Sequence, residues 1–117
     1  MAQEKVELPK FKGKEDEFCT WWLRARAYAG RFGFKQAMSA TVEANLPANE
    51  GPGANQDEQN AVARNVKAAD FLTTAMPDSM LVLITAAGLK DTNWPTQPKA
   101  HLMVAYLQSK YQDTTAL

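Results

Sequence analysis

Apolar and polar residues change rhythm along the 117-residue chain, and the changes mark out an arm followed by helices. Val6 to Phe11 alternates about Pro9. Proline lacks an N–H and holds the residue before it, Leu8, extended. Residues 1–13 therefore read as an extended arm or edge strand, broken by Gly13. From about Lys14 to Phe32 the apolar step becomes three and four. Phe18, Trp22, Ala25, Ala29 and Phe32 form one stripe, widened by Trp21 and Tyr28. Glu15, Asp16 and Glu17 complement the positive end of this helix. Gly33 stands where the residue just past its end belongs, with Gly30 as an earlier stop.

Phe34 to about Glu43 predicts a short second helix around Ala37, Met38 and Val42. Residues 45–59, with Pro47 and Gly51-Pro52-Gly53, are polar and rich in turn formers, and read as an exposed, mobile loop. A third helix is expected from about Gln56 to Met76, with Val62, Val66, Ala69, Thr73 and Met76 inward and Leu72 at the margin. Phe71 lies off this stripe and gives the helix a second packed side. Pro77 stops it. Asp78 or Ser79 caps a fourth helix carrying Met80, Leu83, Ile84 and Ala87 and ending at Gly88. After a turn at Trp94-Pro95, Thr96 or Gln97 caps a last helix. Pro98 sits in its first turn, and Ala100, Val104, Leu107 and Tyr111 share one face. The expected fold is all-α, a small bundle of four to five helices with an extended N-terminal arm. The helical domain spans 14–112, and 113–117 form a tail or linker.

Composition excludes more than it selects. Thirteen basic and thirteen acidic side chains cancel, so no strong overall field draws nucleic acid or anionic lipid. The charge is uneven, however: residues 1–35 hold eight basic and five acidic residues, and the rest hold five and eight. That split suits head-to-tail contacts between copies or a weak RNA-facing edge. One cysteine excludes an internal disulfide and a multi-thiolate zinc site. No run approaches the roughly 18 apolar residues of a membrane span, and the start lacks a signal peptide's apolar region. A soluble intracellular domain without a membrane partner is expected.

Catalysis would have to use His101, the only histidine, which sits beside the last apolar stripe with no acid within a helical turn. Cys19 reads as a small packing residue, since Glu15, Asp16 and Glu17 disfavour its thiolate. Neither glycine-rich phosphate motif occurs. The chain is read as a non-enzyme with no catalytic, cofactor or metal residues. Lys10, Lys12 and Lys14 could track a phosphate backbone while Phe11 stacks on a base. The preferred reading is that these lysines keep an edge soluble while Phe11 plugs the core.

Leu8-Pro9-Lys10-Phe11-Lys12-Gly13, followed by Phe18 and Trp22, resembles the opening "L-P-x-F-x-G … F … W" of copia-type LTR-retrotransposon Gag proteins. Ala69-Asp70-Phe71-Leu72 to Met76-Pro77-Asp78 resembles the middle of that region. Ala100 to Leu107 and Lys110-Tyr111-Gln112 with Thr114-Thr115 resemble its close, although Val104 stands where the family often has tryptophan. The resemblance implies the amino-terminal domain of a capsid, a helical unit that polymerises into a cytoplasmic virus-like shell around the element's RNA. It also implies that the chain is a fragment, since such Gag proteins continue into a second helical domain and often a zinc knuckle. The expected partner is a further copy, bound weakly by the isolated domain, with RNA reached indirectly through the rest of Gag.

A face for such contacts can be read from the first helix. Thr20, Leu23, Arg24, Ala27 and Arg31 share the side opposite Phe18 and Trp22. Leu23 and Ala27 are apolar or small where a solvated face is usually charged, so helices could pack closely there with Arg24 and Arg31 at the rim. The competing account is that the second helix covers this side within one copy. The alternative function is a small helical nucleic-acid-binding or regulatory module, a domesticated Gag adaptor included.

Overall fold

The computed structural model describes residues 7–47, 54–86 and 100–111. Among these residues four α-helices pack into a small bundle: α1 (Phe18–Arg31), α2 (Gln56–Ala75), α3 (Asp78–Ala86) and α4 (Ala100–Tyr111). Among the described residues there is no strand. The turns placed at Gly51-Pro52-Gly53 and Trp94-Pro95, the end of the fourth helix at Ala87 and Gly88, the caps at Thr96 or Gln97, Pro98 and the tail 113–117 lie outside the described residues.

Residues 7–12 of the arm carry no regular secondary structure and are bonded at two points. Phe11 N–H donates to Ala75 O at 2.9 Å, and Trp21 Nε1–H donates to Pro9 O at 3.0 Å. Ala75 ends α2, so the first bond satisfies a carbonyl that has no partner within its own helix. Gly13 then turns the chain at φ +86°, a conformation that costs a glycine nothing. A tight helical turn at Glu15–Glu17 leads into α1.

α1 ends in a Schellman motif. Gly33 adopts φ +85°, and Phe34 N–H donates back to Ala29 O at 2.9 Å. The apolar contact that accompanies this motif is made by Phe34 and Tyr28, whose ring centroids lie 6.2 Å apart. Gly30 does not stop the helix. This reversal also corrects the expectation that Phe32 is core: the helix ends there and leaves the ring 44% exposed.

The second helix predicted for Phe34–Glu43 does not form. Only Lys35–Ala37 makes a single 3-10 turn, after which residues 38–47 continue without regular structure. Phe34, Ala37 and Met38 are each buried from this turn, so they fill the core without needing a longer helix.

α2 starts inside the segment read as loop, and residues 56–59 are its first turn. Asn55 Oδ1 accepts Glu58 N–H at 2.9 Å, while Glu58 Oε1 accepts Ala54 N–H at 2.9 Å. These reciprocal bonds follow the logic of the capping box. The buried face of α2 is rotated from the predicted one. Ala61, Asn65, Ala68, Leu72 and Ala75 carry it, Ala69 and Phe71 widen it, and Val66 is only half-buried. Asn65 can stand there because its Oδ1 accepts Ala100 N–H, at the start of α4, at 3.2 Å. Met76, buried, is extended before Pro77, and α3 follows at once.

Phe18, Leu72, Met103, Val104 and Leu107 are the largest fully buried side chains, so α1, α2 and α4 share one core with Ala25, Ala29 and Ala69. Met80 joins it from α3, but Leu83 does not, being 41% exposed. α3 is short, and among its described side chains Met80 and Leu81 turn to the core. The Ile84 side chain lies outside what the structure describes. Tyr111 packs half-buried against the core, with its ring centroid 5.5 Å from Phe18 and its hydroxyl donating to Met80 Sδ at 2.8 Å.

Candidate functional site

Helical geometry gives α1 two opposite faces. Phe18, Trp21, Trp22, Ala25 and Ala29 point inward and are buried. Thr20, Leu23, Arg24, Ala27 and Arg31 recur at steps of three and four on the other side, and all five are exposed. Leu23 is 69% exposed, the most open large apolar side chain among the described residues. No second helix forms in the segment expected to cover this face.

Trp21, which widens the predicted stripe, is core. Its indole stacks parallel to Phe71 at 6.4 Å, and its N–H is satisfied by the arm. Trp22 is buried beside it. Cys19 is exposed and takes no part in the core, which corrects the packing role expected of it.

Phe11 plugs the core. It is 3% exposed and lies within 5.6 Å, centroid to centroid, of Phe18, Trp21 and Tyr111. A ring so enclosed offers no platform to a base. Lys10, Lys12 and Lys14 remain exposed around it. The structure brings two of them together with the α1 face: Lys10, Lys12, Thr20 and Arg24 all border an open cleft of about 350 Å³ between arm and helix. Asp16 and Glu17 border the same cleft and oppose the field of its cations.

Two features were not read from the sequence. A groove of about 340 Å³ is lined by Leu8, Tyr28, Phe32, Phe34 and Phe71, with Lys67, Asp70 and Thr74 completing its wall. The off-stripe position of Phe71 and the Gly33 turn beside Phe32 were its signals. The second feature is polar. Glu43 Oε1 pairs with Arg64 Nη2 at 2.8 Å and also accepts from its Nε. Glu43, Asn65 and His101 line a space of about 10 Å³, water-sized at most. An acid therefore stands near His101 after all, brought from a distant segment. Thr41 borders the same space.

Burial raises the Tyr111 phenol above its ordinary pKa, and the neighbouring Tyr106 and Glu15 push it the same way. Among the described residues no three His, Cys, Asp or Glu side chains group as metal ligands. No described helix is long and apolar enough to cross a membrane. No family model, curated protein or solved structure matches the chain.

Proposed function

We propose that this chain is the amino-terminal capsid domain of a copia-type retrotransposon Gag, a structural unit that self-assembles into a virus-like shell around RNA. One observation carries the reading: α1 leaves a continuous face of Leu23 and Ala27, flanked by Thr20, Arg24 and Arg31, on the surface of a well-packed helical bundle. A small apolar centre with a cationic rim is the composition of a surface that meets protein and is uncovered between encounters. The residues behind the family resemblance also have connected structural tasks. Pro9 and Phe11 bond and pack the arm, Gly13 turns it, Phe18 receives it, and Trp22 stacks on Phe18. They describe one joint between arm and bundle.

The nucleic-acid reading is weaker for a stated reason: with Phe11 enclosed, the strip has charge and no exposed ring, and two carboxylates share the cleft. The discriminating experiment is electron microscopy of the complete Gag polypeptide expressed alone. Particles are expected from the natural sequence, and none from a folded Leu23→Asp/Ala27→Glu double variant. Normal particles from that variant would remove α1 from the interface.

A further inference from the structure

The arm is held from outside itself. Phe11 N–H donates to Ala75 O at the end of α2, and Pro9 O accepts the Trp21 indole N–H. The Phe11 ring is enclosed by Phe18 and Trp21 of α1 and Tyr111 of α4, and Leu8 packs against the same core. Glu7, Lys10 and Lys12 are exposed. One enclosed ring and two hydrogen bonds thus do most of the seating. Only Gly13 and Lys14 separate the arm from the helical turn that leads into α1, and Gly13 folds it back at φ +86°. A glycine can leave that conformation without steric cost. Swung outward and drawn out, residues 7–12 would reach about 20 Å.

The socket requires an arm but does not specify whose. With the arm lifted, Phe11 and the rings around it would meet water, and Ala75 O, at a helix end, would lose its donor. Each contact named above joins arm to bundle, so the arm of a second copy can make the same set. Within one copy the tether keeps the arm at an effective concentration on the order of millimolar or higher, and in dilute solution a copy's own arm fills its socket. Crowding removes that advantage. We infer that the arm is exchangeable: when copies are crowded, residues 7–12 of one copy seat Phe11 among Phe18, Trp21 and Tyr111 of another. The exchange keeps the contacts of the closed chain and changes only the turn at Gly13. Passed reciprocally, the arms close a dimer; passed onward, they link a row of copies. The inference rests on the self-assembly reading for its crowded setting, and it adds a contact separate from the outward side of α1.

The natural 117-residue chain tests this directly. In an equal mixture of isotope-labelled and unlabelled chains at millimolar concentration, isotope-filtered NOE spectra report contacts between copies alone. NOEs from the Phe11 ring of one copy to Trp21 and Tyr111 of another are expected. Associated chains whose Phe11 NOEs are all within one copy would overturn the exchange and leave the α1 reading intact. A chain that stays monomeric at that concentration would overturn both. Gly13→Pro supplies a second measurement, because proline holds φ near about −65° and forbids the fold-back turn. Sedimentation velocity, with circular dichroism to verify helix content, should show this variant associating at least roughly tenfold more tightly than the natural chain. Phe11→Ala in the same background should abolish the gain. A folded Gly13→Pro variant that associates no better than the natural chain, or a gain that survives Phe11→Ala, would overturn the exchange.

Discussion

A few side chains hold the arm, α1 and α4 to one another. Phe11, Phe18 and Tyr111 contact one another with centroids 5.0–5.6 Å apart, and Trp21 adds a hydrogen bond to the arm. Aromatic pairs in such geometry contribute about 0.5–1.5 kcal/mol each beyond the area they bury. Tyr111 also reaches α3 through Met80 Sδ, so its hydroxyl is worth testing. Burial first, then Tyr106 and Glu15, lifts its pKa above 10.0. The folded state thus prefers the neutral phenol more than the unfolded chain does. The resulting stabilisation is complete below the unfolded value and is lost as pH rises through the folded one. Urea denaturation of Tyr111→Phe should show a domain less stable at neutral pH, by about 0.5–1.5 kcal/mol for the lost hydrogen bond. It should also show a shallower decline above about pH 10 than the natural chain. Equal alkaline slopes would mean that the phenol does not feel its burial.

The helices themselves were legible because packing against one core imposes a period of three to four on apolar residues. α1 and the termini of α2 follow from stripe, cap and proline. What was misread has physical causes. A buried stripe of alanines is quiet beside valines, and Asn65 looks solvated until its partner, Ala100 N–H, arrives from 35 positions along the chain. Residues 34–43 have the apolar spacing of a helix, but one turn suffices to bury Phe34, Ala37 and Met38. The outward side of α1 could be read from helical spacing alone. The convergence of Lys10 and Lys12 with Arg24, and of Glu43 with His101, could not, since only the tertiary fold brings these segments together. The two glycines near the α1 terminus separate local rules cleanly. Gly33→Ala must place a Cβ at φ +85°, so it should lose about 1–2 kcal/mol although no atom obstructs it. Gly30→Ala lies within the helix, where the new methyl would only touch the Lys35 stem at 3.6 Å, so it should gain up to about 1 kcal/mol. Thermal melts of the two variants check the opposite signs.

At the scale of the whole molecule, the described residues form a packed helical bundle that leaves the Leu23 and Ala27 side of α1 exposed. A shell must form when copies are crowded and not before, so each contact has to be weak alone and effective only when repeated. Leu23 and Ala27 are two side chains, and a stable dimer buries far more surface than they can offer. Sedimentation velocity of the 117-residue chain, free of RNA and carried from micromolar to millimolar concentration, tests this most directly. The account predicts a monomer at the dilute end and a continuous rise through growing oligomers as the chain is concentrated. A monomer across the whole range, or a tight dimer already complete at the lowest concentration, would contradict it.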